Sequence, residues 1–256
     1  MKTLILVNVL RNIDSVVYSN HIAFWSFTKA MYPKSEGHEF ILFTPPRMSI
    51  DMARNSAAKE AMRHECDYLM FIDDDILIPP NTFKSLLDAQ ADISAGLVII
   101  RGYPFHVMAF KHAEGHLTYF DELPKVEVIY NENEKIEAIK DPVTREDGLA
   151  AVGFSCCLIK VSILKKIPPP FFVSGPYNTE DIYFCDKVRE FVPDVNISLV
   201  THIQPGHMLF SEPIEYVTID LFKEFYETLQ PELKNFEKIE NSRTTEYIKA
   251  NLKKLE

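Results

Sequence analysis

Three consecutive carboxylates, Asp73, Asp74 and Asp75, directly follow the apolar run at residues 68–72. Like charges this close repel one another, and removing them from water without a cation is costly. Alternate side chains of an extended segment share a face, so Asp73 and Asp75 are expected to converge while Asp74 points away. Two carboxylates presented together suit a hard divalent ion that also holds phosphate oxygens. The plainer reading is a turn with an acidic helix cap. Glu180 and Asp181 form a second acidic pair at the start of a helical pattern, where acids also favour the helix dipole at ordinary surface sites. Arg54 is a guanidinium able to pair with phosphate or stack near a base, or else an ordinary surface arginine.

These groups need a scaffold, and the hydrophobic pattern supplies one. Strands are expected at residues 4–10, 39–44, 68–72 and 93–100, with helices at 19–31, 49–64 and from Asn81 to Ala89. In the first helix the apolar residues at helical spacing are Ile22, Phe24, Trp25, Phe27 and Ala30. Strands alternating with helices imply a largely parallel sheet with crossover helices. Ligands of such sheets bind beyond the carboxyl ends of the strands, where Asp73–Asp75 fall. Residues 107–139 read as hairpins, with Gly115-His116 and residues 131–133 as turns. A strand is expected at 148–159 and a short helix at 161–167, stopped by Pro168-Pro169-Pro170. A further helix, capped by Asn178 or Thr179, runs to Phe191, and a last strand spans 197–203. Residues 214–229 carry an amphipathic stripe (Ile214, Val217, Leu221, Phe222, Phe225, Leu229), and a Lys- and Glu-rich helical tail follows Pro231. The expected organisation is an α/β domain over residues 1–210 and a C-terminal helical extension over 211–256. The extension's stripe packs on the domain or on a second copy in a homodimer.

The segment Phe71-Ile72-Asp73-Asp74-Asp75-Ile76-Leu77-Ile78-Pro79-Pro80 resembles the Asp-x-Asp segment of glycosyltransferases with the GT-A fold, especially family 2-like enzymes. Four other stretches resemble that family in the same order. They are Asp51-Met52-Ala53-Arg54-Asn55, Ala95-Gly96 through Arg101-Gly102-Tyr103-Pro104, residues 152–159 around Gly153 and Cys156-Cys157, and Thr179-Glu180-Asp181 with the residues after it. The likeness spans roughly residues 3–210. It implies a GT-A (Rossmann-like), mixed but mostly parallel sheet flanked by helices. It implies a nucleoside-diphosphate sugar as donor, a carbohydrate or other hydroxyl acceptor, and Mn²⁺ or Mg²⁺ as cofactor. The metal ligands implied are Asp75 and Asp73 with a later histidine, for which Pro205-Gly206-His207 is the better match and His202 the second choice. Arg54, Asp73 and Asp74 fall on the donor side. Asp181 is the implied general base for direct displacement with inversion, and Glu180 orients the acceptor or supports its helix. Arg101 and Tyr103 either line the donor sugar or simply form the loop. The first strand lacks the Pro and small-residue run common in the family, a departure that bears on base recognition there, for which Asn8 is a candidate.

Composition narrows the alternatives. The 256 residues carry 37 acidic and 27 basic side chains, a formal net charge of −10, so non-specific nucleic-acid binding is not expected. An acidic protein that takes an anionic donor needs a local cation, which the metal would supply. Cys66, Cys156, Cys157 and Cys185 form no CxxC pair, and no stretch approaches the length of a membrane span. A reduced, cytoplasmic setting is expected, with the cysteines as core residues. Three other readings share parts of the pattern. A Mg²⁺-dependent phosphatase-like hydrolase with an aspartyl nucleophile also uses Asp-x-Asp after a strand, but it calls for Thr or Val where Leu77 stands. A sugar-nucleotide pyrophosphorylase needs a Gly-rich phosphate loop after the first strand, and residues 9–14 contain no Gly. A non-catalytic nucleotide-sugar or carbohydrate-binding protein of the same fold would bind without turnover.

Overall fold

The computed structural model describes residues 1–9, 13–45, 47–101, 105–113, 116–120, 127–130, 136–140, 143–175, 179–209 and 212–213. Along the chain, β1 (Lys2–Asn8) leads to α1 (Ser15–Met31), β2 (Glu39–Phe43), α2 (Ile50–Arg63) and β3 (Tyr68–Asp73). The two-residue strand β4 (Ile76–Leu77) precedes α3 (Thr82–Asp88) and β5 (Ile93–Gly96). Next come β6 (Ala109–Ala113), β7 (His116–Tyr119), β8 (Glu127–Tyr130), β9 (Ile136–Lys140), β10 (Leu149–Val152) and β11 (Cys156–Lys160). They are followed by α4 (Val161–Leu164), α5 (Glu180–Phe191), β12 (Ile197–Val200), β13 (Gly206–Leu209) and β14 (Glu212–Pro213).

Among the described residues the central sheet has six strands in the order β2-β1-β3-β11-β5-β12. Its neighbours run parallel except at β11, which is antiparallel to both β3 and β5. This is the mixed, mainly parallel sheet expected from the alternation of strands and helices. Its strands are short apolar runs because both faces are covered. On one face Ile5, Val7, Met70 and Ile72 pack with Phe24 of α1 and with Phe83 and Leu86 of α3. On the other face α2 presents Ala53, Ala57, Ala58 and Ala61, all fully buried. Four alanines let the α2 backbone lie close to β1 and β3, and that closeness brings Arg54 to the carboxyl end of the sheet.

Several expected boundaries move for identifiable reasons. Helix α1 begins at Ser15 rather than residue 19, because Asp14 caps it, accepting a 2.8 Å hydrogen bond from the Val16 N–H. Its inward residues are Val17, Phe24 and Thr28, whereas Ile22 and Phe27 are 48% and 41% exposed. The single strand expected at 148–159 is two, β10 and β11, which belong to different sheets. The break falls at Gly153, whose N–H donates to the Met108 carbonyl at 2.7 Å. The strands expected at 93–100 and 197–203 end at Gly96 and Val200, and the chains beyond them stay joined by the Leu97 N–H on the Ile203 carbonyl at 2.7 Å. The expected hairpins are present as β6–β7 and β8–β9, with Ala113 opposite His116. Gly115 and residues 131–133 lie outside the described residues, as do Asn178 and Tyr103. The described residues all belong to one compact unit, Met1–Tyr216. Apart from Glu212–Pro213, the helical extension expected over 211–256 and the homodimer contact expected of it lie outside the described residues. Among the described residues no helix is long and apolar enough to cross a membrane.

Gly153 gives a direct test of this packing. A Cβ there would stand 2.6 Å from Met108 Cε and 2.7 Å from Met108 Cβ. Gly153→Ala is expected to destabilise the fold by about 1–3 kcal/mol, the usual cost of overpacking. Urea unfolding would measure it as a lower midpoint at unchanged slope.

Candidate functional site

The carboxyl ends of β1 and β3 lie side by side, with Asn8 in register with Asp73. Residues in register on parallel strands face the same way, so Asn8, Phe71 and Asp73 share the α2 face. Arg54 comes from that helix and is 2% exposed. Its Nη2 donates to Asp73 Oδ1 at 3.2 Å, and its Nη1 forms a tight ion pair with Glu180 Oε1 at the start of α5. The guanidinium carbon lies 5.3 Å from the ring centre of Phe71 and 5.7 Å from that of Phe154, within cation–π range. Phe172 and Phe184, stacked at 4.6 Å, complete the aromatic wall with Phe154. Burial opposes the Arg54 charge, but Asp73, Glu180 and Asp181 more than offset it and hold its pKa above the ordinary guanidinium value. Arg54, expected on the donor side, has both Nη groups on carboxylates of the protein. That side chain is a tie between β3 and α5.

Glu180 and Asp181 occupy the first turn of α5 and are 8% and 4% exposed. Burial pushes the Glu180 carboxyl above the ordinary glutamate value; Arg54 pulls against that, and the Asp181 charge adds to it. Asp181 Oδ1 accepts from the Ile182 N–H at 2.8 Å and from the Thr179 hydroxyl. Both acids therefore occupy the helix terminus, and Glu180 ties it to Arg54.

Asp75 looks the other way. After Asp73 the chain turns through Asp74 and Asp75 into β4, so the alternation expected of an extended segment stops and the two carboxylates acquire separate partners. Asp75 Oδ2 is 3.0 Å from Arg101 Nη1 and 3.6 Å from His207 Nε2. The second contact is too long for a hydrogen bond. Burial would raise the Asp75 pKa, but His207 and Arg101 together hold it below the ordinary aspartate value. His207 is carried by β13, opposite Ile76 of β4, and the Met208 N–H donates to the Asp75 carbonyl at 2.8 Å. His207 Nδ1 lies 2.7 Å from the Ile99 carbonyl. A carbonyl only accepts, so Nδ1 carries the proton and donates it there. Nε2 then faces a carboxylate oxygen across 3.6 Å, an arrangement completed either by a second ring proton or by a cation between the two. Anchoring of the far ring nitrogen on a backbone carbonyl is how metal-ligating histidines are usually oriented. An octahedral ion with bonds of about 2.1 Å sets adjacent ligands about 3 Å apart, so only a small closure separates this pair from that spacing. No group of three or more such ligands gathers among the described residues. The second-choice histidine, His202, lies half-buried in the turn after β12.

Asn8 is 8% exposed, and its Oδ1 has no hydrogen-bond partner, nor does Arg54 Nε. A buried acceptor left unmatched at the carboxyl end of the sheet is uncommon in a folded protein. The cysteines are core residues as expected: all four are free and buried, and burial pushes the Cys156 and Cys185 thiols up to about 12. Sequence reasoning missed the aromatic wall around Arg54, the Arg101–Asp75 contact, and two α1 side chains, Asn20 and His21, which bond the backbone of residues 76–78. Only the last had a local signal, a polar pair beside the apolar run Ile22-Ala23-Phe24-Trp25.

No protein-family model matches the sequence, and no curated protein does. Among solved structures, A197 from STIV is 15% identical with a TM-score of 0.49, covering 86% of this chain and 91% of that chain. The inositol-1-phosphate CTP transferase from T. maritima is 11% identical with a TM-score of 0.39, covering 81% and 88%. The 4-diphosphocytidyl-2C-methyl-D-erythritolsynthase from Anaerococcus prevotii is 8% identical with a TM-score of 0.40, covering 83% and 91%. Likenesses at this level carry no functional inference.

Removing the Arg54 charge leaves Glu180 and Asp73 without their counter-ion in a buried setting. Arg54→Met is expected to cost about 3–5 kcal/mol, the range for breaking a buried pair by deleting one partner. Chemical denaturation would register it, and a loss under 1 kcal/mol would mean that the tie is not structural.

Proposed function

We propose that this protein is a metal-dependent glycosyltransferase that moves a sugar from a nucleoside-diphosphate donor to an acceptor hydroxyl. The observation that carries the reading is the His207–Asp75 pair, with Nδ1 anchored on Ile99 and Nε2 3.6 Å from the Asp75 carboxylate. Asp75 and His207 would hold Mn²⁺ or Mg²⁺, with Asp73 assisting beside Arg54. A bound ion supplies Lewis-acid stabilisation of the charge that grows on the departing diphosphate. Asn8 offers its unmatched Oδ1 to the nucleotide. Arg101, 54% exposed, is free to exchange Asp75 for a phosphate oxygen. Asp74, in the turn, adds to the acidic surface that favours a cation. Asp181 takes the proton from the acceptor hydroxyl, which suits inversion at the sugar carbon. Glu180 and Arg54 keep the α5 terminus that bears Asp181 at a fixed place relative to β3.

Two measurements test this. With Mn²⁺ present, wild-type protein is expected to bind a nucleoside diphosphate in calorimetry. Asp75→Ala should lose that binding while its circular dichroism stays unchanged; equal affinity in the mutant removes the metal assignment. Asp181→Asn should keep donor binding and lower transfer, or slow donor hydrolysis, by about 100-fold or more. Full activity excludes Asp181 as base. Release of inorganic phosphate from simple phosphomonoesters would favour the phosphatase-like alternative, and binding without turnover of any nucleotide-sugar the non-catalytic one.

A further inference from the structure

Strand β4 has two residues, too few to hold a register through its own ladder, yet it fixes Asp75 relative to His207. One edge of β4 is paired with β13, where His207 opposes Ile76 and Gly206 opposes Leu77. Polar backbone groups of residues 76 and 78 point instead towards α1, and side chains meet them. Asn20 Oδ1 accepts from the Ile78 N–H at 2.6 Å, while Asn20 Nδ2 donates to the Ile78 carbonyl at 3.1 Å. A side-chain amide that gives and takes one bond with the same residue reproduces what a neighbouring strand would do. One helical position on, His21 Nε2 lies 2.8 Å from the Ile76 carbonyl; since a carbonyl only accepts, Nε2 carries the proton. The side chains of Ile76 and Ile78 are fully buried beneath these bonds.

We infer that Asn20 and His21 are positioning residues for the Asp75–His207 pair, acting as a substitute strand that pins residues 76–78 in register. The inference rests on the metal reading proposed above. Both side chains bond the backbone of residues 76 and 78 rather than Asp75 or His207. Each acts through β4, because a slip of one residue would turn His207 away from the Asp75 side. Losing the pins is expected to loosen the backbone of residues 76–78 and lower metal affinity, while Ile76 and Ile78 stay held by packing in the core.

The test is Mn²⁺ titration of the full chain, following the six-line resonance of free aqueous Mn²⁺ as it disappears on binding. Wild type is expected to bind and Asp75→Ala not. His21→Phe keeps ring volume but deletes the donor, and Asn20→Leu deletes both Ile78 bonds. Each should weaken Mn²⁺ binding by about 10-fold or more, the scale seen when groups that orient metal ligands are removed. His21→Gln, which keeps an N–H donor, should return affinity to within about threefold of wild type. If His21→Phe fails to fold, Asn20→Ala, which loses both Ile78 bonds without adding volume, takes its place with a weakening of about 10-fold expected. Titrations run well below each variant's melting temperature, so a merely structural role would leave the affinity unmoved. Wild-type affinity in His21→Phe or Asn20→Leu, with Asp75→Ala non-binding, overturns this inference alone. No Mn²⁺ binding in wild type removes the metal reading and this inference together.

Discussion

A single guanidinium lies among three carboxylates at the heart of the site. Arg54 ion-pairs with Asp73 and Glu180 and feels the charge of Asp181. Taking a cation and its partners out of water costs several kcal/mol per ion, so such a cluster persists only where geometry returns most of that. Here the return comes from the two carboxylate contacts and from the faces of Phe71 and Phe154. The alanine face of α2 sets the distance. Larger side chains at Ala53 or Ala57 would lift the helix off the sheet and withdraw Arg54 from both acids.

That cluster divides the acidic turn into two stations. Asp73 belongs to the interior, tied through Arg54 to α5 and therefore to Asp181. Asp75, two residues on, belongs to the outer station with Arg101 and His207. The division follows from where β3 ends: Asp73 still has strand geometry, and its N–H donates to the Ser155 carbonyl at 3.0 Å, whereas Asp75 has entered the turn. Asp181 and Asp75 are thus joined by one connection that runs through β3, Arg54 and Glu180.

The sequence made the sheet, the helices and the acidic turn legible because each leaves a local trace: apolar runs for buried strands, helical spacing and caps, and carboxylates after a strand. The His207 assignment came from the family likeness, and the structure puts that ring beside Asp75. Partners distant in the chain left no such trace. Arg54 and Glu180 are 126 positions apart, so nothing near Arg54 signalled that its charge was already matched. The break at Gly153 was hidden for a similar reason, since the clash that demands glycine comes from Met108. Asn20 and His21 looked like polar interruptions of an amphipathic helix, and their purpose depends on β4, whose two residues are too few to be recognised by pattern.

Two arginines bind carboxylates a few residues apart, and burial alone gives them different characters. Arg54 cannot leave its partners without exposing charge to an apolar wall. Arg101 is 54% exposed beside an Asp75 that is 24% exposed, the kind of surface pair whose net contribution is about 0–1 kcal/mol. Such a contact neutralises Asp75 while no other cation is near and is given up at little cost when one arrives. The guanidinium at the rim is thus loosely held and the one beneath firmly held, so one charge can change partners while the other is committed to rigidity. The two properties would conflict in a single arginine, because the burial that fixes the scaffold would also keep its charge from any other partner.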